Sequence, residues 1–491
     1  MELKHGRKSW PVIVAVGLAL GAVMSASAQN FQAIANWRYL PLQEEFFRQT
    51  EELGAKGEDL EVVELALRQR DKRKGTSEEG EARVVLAQAC VRMKMPYCAF
   101  HFALKTAQDF PGSMPSLKAL EILEGRIKAF PFVEKDVQRL INSGSFKDVP
   151  DVLVPMVSYY VALDNSDKKL TPWIDASVKK IGEANYWRWR WSYLSALEDA
   201  RRKTAMDGLK RLEALEIETG SEPRLQAQIR LQIARLKFEL TDYDAALKIY
   251  ESLPLQDRTS GQILRERAWV HFARKDYAET LGLLQSLKAP TFQQAMDPDV
   301  FFLEMLALRS LCHFESVKKP AADFRKIYNA SIEHIRARKP LSDNVGLSRM
   351  SFMRTSLDPY VQTVSQIREE RRLLESSALA KPFQNELKGI YDRAEKSLRE
   401  DAEILLRDSQ SQEAQRLLEM ADQVQLVEYL SGLDAYRIRQ GYEKDDYTAA
   451  TAERGDYKTL FWPVRDDEYW LDELRNYRVL ANDRCSGKSS R

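Results

Sequence analysis

Residues 233–253 read IARLKFELTDYDAALKIYESL, and residues 267–287 read RAWVHFARKDYAETLGLLQSL. The second stretch repeats the first 34 residues later: Ala234 corresponds to Ala268, Asp242-Tyr243 to Asp276-Tyr277, Leu247 to Leu281 and Leu253 to Leu287. Apolar residues recur at helical spacing on both sides of the Asp-Tyr turn, so each unit reads as two helices joined by a short polar turn. A single helix pair cannot bury both of its apolar faces. Copies must stack to close a core, and about three are needed for stability.

The period and the order of features resemble the tetratricopeptide repeat (TPR). That family places a small residue where Ala234 and Ala268 stand, because the two helices of a pair approach closely there. A second small position falls on Ala246, with Thr280 as a departure in the next unit. A bulky aromatic in the second helix is supplied by Tyr250 and replaced by Leu284. The usual first-helix Trp and Tyr are absent from both units. The resemblance implies that Ala234, Asp242, Tyr243, Ala246, Tyr250, Ala268, Asp276 and Tyr277 are packing and turn positions. It also implies a stack with an extended concave surface that holds other proteins.

Other segments read as diverged pairs. Ala82–Met93 and Ala99–Ala107 flank a turn at Met95-Pro96-Tyr97, with Pro96 suited to a first helical turn. Further pairs are expected at Leu117–Ala129 with Val133–Ile141, Val152–Leu163 with Trp173–Ile181, Arg190–Leu197 with Ala205–Leu215, and Val300–His313 with Ala321–His334. The fold class expected is therefore all-α: a TPR-like α-solenoid of helix hairpins over residues 29–340, clearest at 222–290. Trp187, Trp191 and Leu194 share one helix face and Trp189 and Tyr193 another, as burial between neighbouring helices requires.

The composition supports this. The 491 residues are 44% hydrophobic and 30% charged, with only 21 Gly and 18 Pro, which favours long helices over frequent tight turns. Residues 1–28 read as an export signal: Lys4, Arg7 and Lys8, then the apolar run Val12–Val23, then Ser25-Ala26-Ser27-Ala28. The small-residue ending favours cleavage, with Gln29 as the new N-terminus, over an uncleaved anchor, and places the protein in the periplasm. No later stretch has the length of a transmembrane helix. Losing three cations and Glu2 takes the formal charge from +1 to −1. Such a chain has no global field to attract nucleic acid. Cys90 and Cys98 flank a helix turn, and two readings stand side by side: a disulfide, permitted by an oxidising compartment, or two buried thiols.

After Pro340 the character changes. Residues 341–440 read as long charged helices, at Leu357–Leu379, Asn385–Arg407 and Glu413–Leu430. Leu387, Ile390, Ala394, Leu398 and Leu405 form a narrow stripe suited to an antiparallel hairpin, with a coiled coil as runner-up. Residues 441–491 read as a polar linker and an aromatic-acidic tail. Within it Phe461, Trp462, Tyr469 and Trp470 are a candidate capping or docking segment. The export signal, the diverged repeats, the charged helices and the Phe461–Leu474 motif together look like exported TPR cell-envelope proteins of predatory and gliding bacteria. That resemblance implies a setting in envelope or motility machinery.

The sequence carries no His-Glu-x-x-His, no Gly-x-Ser-x-Gly and no phosphate-binding glycine loop. Cys312-His313 are helix neighbours about 100° apart and make a poor nucleophile–base pair. The expectation is a non-enzymatic periplasmic scaffold or adaptor for envelope proteins, without cofactor or metal. A peptidoglycan- or polysaccharide-binding module is the alternative, and a helical cell-wall hydrolase a more distant one.

Overall fold

A computed structural model describes residues 44–127, 134–146, 149–254, 259–293, 296–354, 357–440, 476–479, 481 and 483–485. The expected export signal and the aromatics Phe461, Trp462, Tyr469 and Trp470 lie outside the described residues. Among those described, the regular elements are helical and none is a strand. No described helix is long and apolar enough to cross a membrane.

The first helices are α1 (Glu44–Ala55), α2 (Asp59–Lys72), α3 (Ser77–Arg92), α4 (Pro96–Asp109), α5 (Met114–Ile127), α6 (Glu134–Leu140), α7 (Val154–Asp167) and α8 (Thr171–Ile181). Then follow α9 (Tyr186–Arg202), α10 (Ala205–Glu218), α11 (Pro223–Glu239), α12 (Tyr243–Ser252), α13 (Thr259–Ala273), α14 (Tyr277–Leu287) and α15 (Pro290–Gln293). The last are α16 (Asp299–Ser310), α17 (Lys318–Arg336), α18 (Val345–Arg354), α19 (Asp358–Ser376) and α20 (Lys381–Arg439). Prolines sit in the first turns of α4, α7, α8, α11 and α19, where a missing N–H costs little.

Consecutive helices pack on one another, as in α2 with α3, α3 with α4, α7 with α8, α11 with α12, α13 with α14 and α16 with α17. The repeat leaves its mark on the backbone. Gly57, Lys94, Lys169, Thr241, Lys275 and Cys312 all have positive φ, between +58° and +78°. In each case the next residue donates its N–H to the carbonyl five positions back. Examples are Met95 to Cys90 (2.8 Å), Asp242 to Lys237 (2.9 Å), Asp276 to His271 (2.9 Å) and His313 to Leu308 (2.9 Å). This Schellman closure satisfies a carbonyl left over at a helix end and reverses the chain. The steps between these residues are 37, 75, 72, 34 and 37. The two long steps are about twice the repeat, and each spans one further pair in sequence, α5 with α6 and α9 with α10. Gly208 of α10 confirms close packing on α9: a Cβ there would lie 2.4 Å from the Ala200 methyl. The architecture is thus an all-α stack of consecutive helix pairs, as the spacing of apolar residues predicts.

The chain forms two compact units, Met1–Leu194 with Ser356–Glu403, and Ser195–Thr355 with Ile404–Arg491. The contacts group the helices differently from a linear division at residue 340, since the 341–440 segment contributes to both units. In the first unit one apolar core joins Phe100 and Phe102 of α4, Leu120 of α5, Tyr159 and Tyr160 of α7, Ile367 of α19, and Phe383, Leu387 and Tyr391 of α20. In the second, Phe301 and Met305 of α16 meet Phe324 and Tyr328 of α17, Leu347 of α18, and Leu417 and Val424 of α20.

Two of the expected C-terminal helices, 385–407 and 413–430, are parts of the single 59-residue α20. The connecting Asp408-Ser409-Gln410-Ser411-Gln412 contains neither Gly nor Pro. Ser409 and Gln410 are buried, and the Gln410 amide donates to Ser348 Oγ at 3.0 Å. A polar run broke the sequence pattern but had tertiary partners to satisfy it. The stripe Leu387, Ile390, Ala394 and Leu398 is consumed inside the first unit's core, with α19 and α20 as an antiparallel hairpin. Arg371 ties that hairpin, reaching Asp392 (2.7 Å) and Glu395 (3.4 Å).

Candidate docking surface

The repeat-signature residues are structural. Ala234, Ala246 and Ala268 are fully buried, so the helices of each pair approach without an intervening side chain. Asp242 caps α12, its carboxylate accepting from the Ala245 N–H at 3.4 Å. Tyr243 packs on Phe238 with ring centroids 5.6 Å apart, and Tyr277 on Phe272 at 5.7 Å, the same contact one repeat later. Asp276 receives the Arg274 guanidinium at 3.3 Å. Tyr250 is buried and donates from its hydroxyl to Glu266 of α13 at 2.9 Å, and Arg235 reaches the same carboxylate at 2.7 and 3.0 Å. Burial works to raise the Glu266 carboxyl, but the Arg235 charge and the hydrogen bonds outweigh it and hold it below its ordinary value. This network joins one repeat to the next.

The described tail residues 476–479, 481 and 483–485 lie on the second unit's helices. Gly282 of α14 is the point of closest approach: a Cβ there would sit 1.7 Å from the Tyr477 carbonyl oxygen, so only glycine admits the tail's backbone. The Val479 N–H donates to the Ala278 carbonyl (3.1 Å), and the Arg484 N–H to the carbonyl of Leu311, at the end of α16 (3.1 Å). The Leu311 carbonyl, at a helix C-terminus, has no intrahelical partner and is a ready acceptor. Between these bonds Ala481 packs on Leu281, Ala307 and Leu311. Arg478 pairs with Glu279 at 2.7 Å. Cys485 is bonded to Cys312, the positive-φ residue of the turn after α16, with Cα atoms 5.2 Å apart. By magnitude the noncovalent ties are modest: about 1 kcal/mol for each hydrogen bond and under about 1 kcal/mol for an exposed ion pair. The disulfide is the strongest of the ties.

The sequence pattern does not by itself pair Cys485 with Cys312, and it does not single out Gly282. The available signal was a glycine inside the helical run Leu281-Gly282-Leu283-Leu284, which costs helix stability and so marks a close contact.

In the first unit Cys90 and Cys98 are bonded (S–S 2.08 Å) and buried between α3 and α4. Beside them, Glu370 of α19 accepts from the N–H groups of Tyr97 (2.6 Å) and Cys98 (3.0 Å) and from the Tyr391 hydroxyl (2.8 Å). Met95, at the cap position of α4, has no side-chain oxygen, so a carboxylate from another helix satisfies the orphan donors. Burial pushes the Glu370 carboxyl up to about 7, against the lowering effect of those donors.

The Trp-Arg segment of α9 is core. Tyr186, Trp187, Trp189 and Arg190 are buried. Arg190 pairs with Glu134 at 2.8 Å and lies 5.1 Å from the Tyr159 ring centroid. Helical spacing anticipated the buried Trp residues but not the buried cation.

Among the described residues no group of three His, Cys, Asp or Glu side chains stands close enough to hold a metal ion. No protein-family model matches the chain, and no curated protein matches it. The site presents main-chain acceptors, a small apolar seat and one carboxylate, arranged along two helices.

Proposed function

We propose that this protein is an exported scaffold or adaptor of the tetratricopeptide type, which binds other proteins through faces of its stacked helix pairs. The observation that carries the reading is the seating of Arg478, Val479, Ala481 and Arg484 on α14 and α16 through backbone hydrogen bonds, a small apolar contact and an ion pair. A helix surface that holds an extended chain in this way has the chemistry of protein recognition, where binding comes from an array of side chains and carbonyls. The recurrence of one turn geometry at 34 to 37 residues supports the repeat assignment. An exported protein of this kind works among envelope proteins.

A photo-crosslinking residue at Lys275, exposed beside this surface, tests the reading in cells. Recurrent crosslinks to one or a few envelope proteins are expected. Absence of protein crosslinks, combined with retention of the purified chain on sacculi, would replace the scaffold by a glycan-binding module. Release of soluble sacculus fragments would replace it by a hydrolase.

A further inference from the structure

We propose that the face formed by α14 and α16 is a peptide-docking groove that the protein's own C-terminal tail fills in cis, and that the Cys312–Cys485 bond controls its occupancy. This rests on the docking reading above and adds the ligand chemistry and the control.

Three observations on different atoms carry it. Gly282 removes the side chain where the tail's backbone crosses α14. The Ala278 and Leu311 carbonyls accept from the tail's main chain, an interaction indifferent to sequence. Glu279 and the Leu281, Ala307 and Leu311 seat select a cation followed three residues later by a small apolar residue, here Arg478 and Ala481. The partner that fits is therefore an extended segment with that spacing. While the tail is bonded in place, such a segment has nowhere to lie.

The two disulfides differ in access. Cys90 and Cys98 are buried, whereas Cys485 is exposed. A dithiol reductant attacks the exposed sulfur first. It supplies two electrons and two protons, the Cys312–Cys485 bond breaks to two thiols, and the dithiol closes to its own disulfide. The tail is then held by noncovalent contacts alone, at the effective concentration set by its tether, and a partner segment competes with it.

The test uses the full chain and a fluorescent peptide of residues 476–485 with serine in place of the cysteine. In the variant Cys485→Ser/Arg478→Glu the tail is unbonded and repelled by Glu279, while the groove keeps its own residues. That variant is expected to bind the peptide at least tenfold more tightly than the oxidised unaltered chain. Adding Gly282→Ala, which favours helix and so spares the fold, is expected to weaken binding at least tenfold. Equal binding by oxidised and freed chains, no binding by the freed chain, or indifference to Gly282→Ala overturns the groove. Hydrogen exchange on the unaltered chain gives a second readout. The Val479 and Arg484 amides are expected to exchange at least tenfold faster under a dithiol, and unchanged protection overturns control by the disulfide. Failure of either measurement leaves the Lys275 crosslinks standing, so the groove and the scaffold role fall separately.

Discussion

Glu370 and Arg190 are charged residues that the first unit buries for opposite reasons. The Glu370 carboxyl is raised to about 7 by burial, against an ordinary value of 4.5 in the unfolded chain. The folded state thus holds its proton more tightly, and stability must fall as pH rises between those values. The linkage amounts to roughly 3 kcal/mol over the interval. Urea denaturation of the first unit between pH 4.5 and 8 is expected to show this decline, and Glu370→Gln is expected to flatten it. A stability that climbs over the same range in the unaltered chain would contradict the assignment. Arg190 instead keeps its charge beside Glu134, which also accepts from the Tyr160 hydroxyl at 3.3 Å. Removing one partner leaves a buried charge uncompensated, so Glu134→Ala is expected to cost about 3–5 kcal/mol. A loss under about 1 kcal/mol in chemical denaturation would show that water reaches Arg190.

At the scale of the element, the unit of construction is a helix pair closed by one left-handed residue. Only Gly57 among the seven such positions described, Arg338 after α17 included, is a glycine. Thr241 is the most strained by chemistry, because a β-branched residue at φ +65° is rare. Thr241→Gly should relieve about 1–2 kcal/mol of local strain and lose part of that to chain entropy. The expected net gain is about 0.5–1 kcal/mol, read as a higher urea midpoint with unchanged slope. No gain would mean that the strain is already spread into α11 and α12. The same substitution pattern explains why only two repeats were legible. The usual glycine signal is missing at Lys94, Lys169, Thr241, Lys275 and Cys312, so the turns do not announce themselves. Residues 222–290 stood out because Asp-Tyr follows the turn in both copies.

Over the whole molecule, covalent ties join parts of the chain that the repeat alone does not. All four cysteines are paired. Unfolding without reductant is therefore expected to expose no thiol to alkylation, and reduction to expose four; any labelling before reduction would contradict the pairing. The Cys312–Cys485 bond spans a sequence separation of 173. In the chain-entropy account such a long loop contributes up to roughly 5 kcal/mol by constraining the unfolded state. The long helix α20 contributes its first part to one core and its later part to the other, a division that local periodicity does not reveal.

What the sequence by itself determined is local: helical periodicity, the 34-residue echo and the small residues at Ala234, Ala246 and Ala268. These follow from side chains within a few turns of one another, where spacing alone settles which face is apolar. Only the tertiary structure decided that Glu370 caps α4 from 273 residues away, that α20 runs unbroken, and that the tail lies on Gly282 and is bonded to Cys312. Those contacts join distant stretches, and they are chosen by which buried donors, acceptors and faces remain unsatisfied once the helix pairs have stacked.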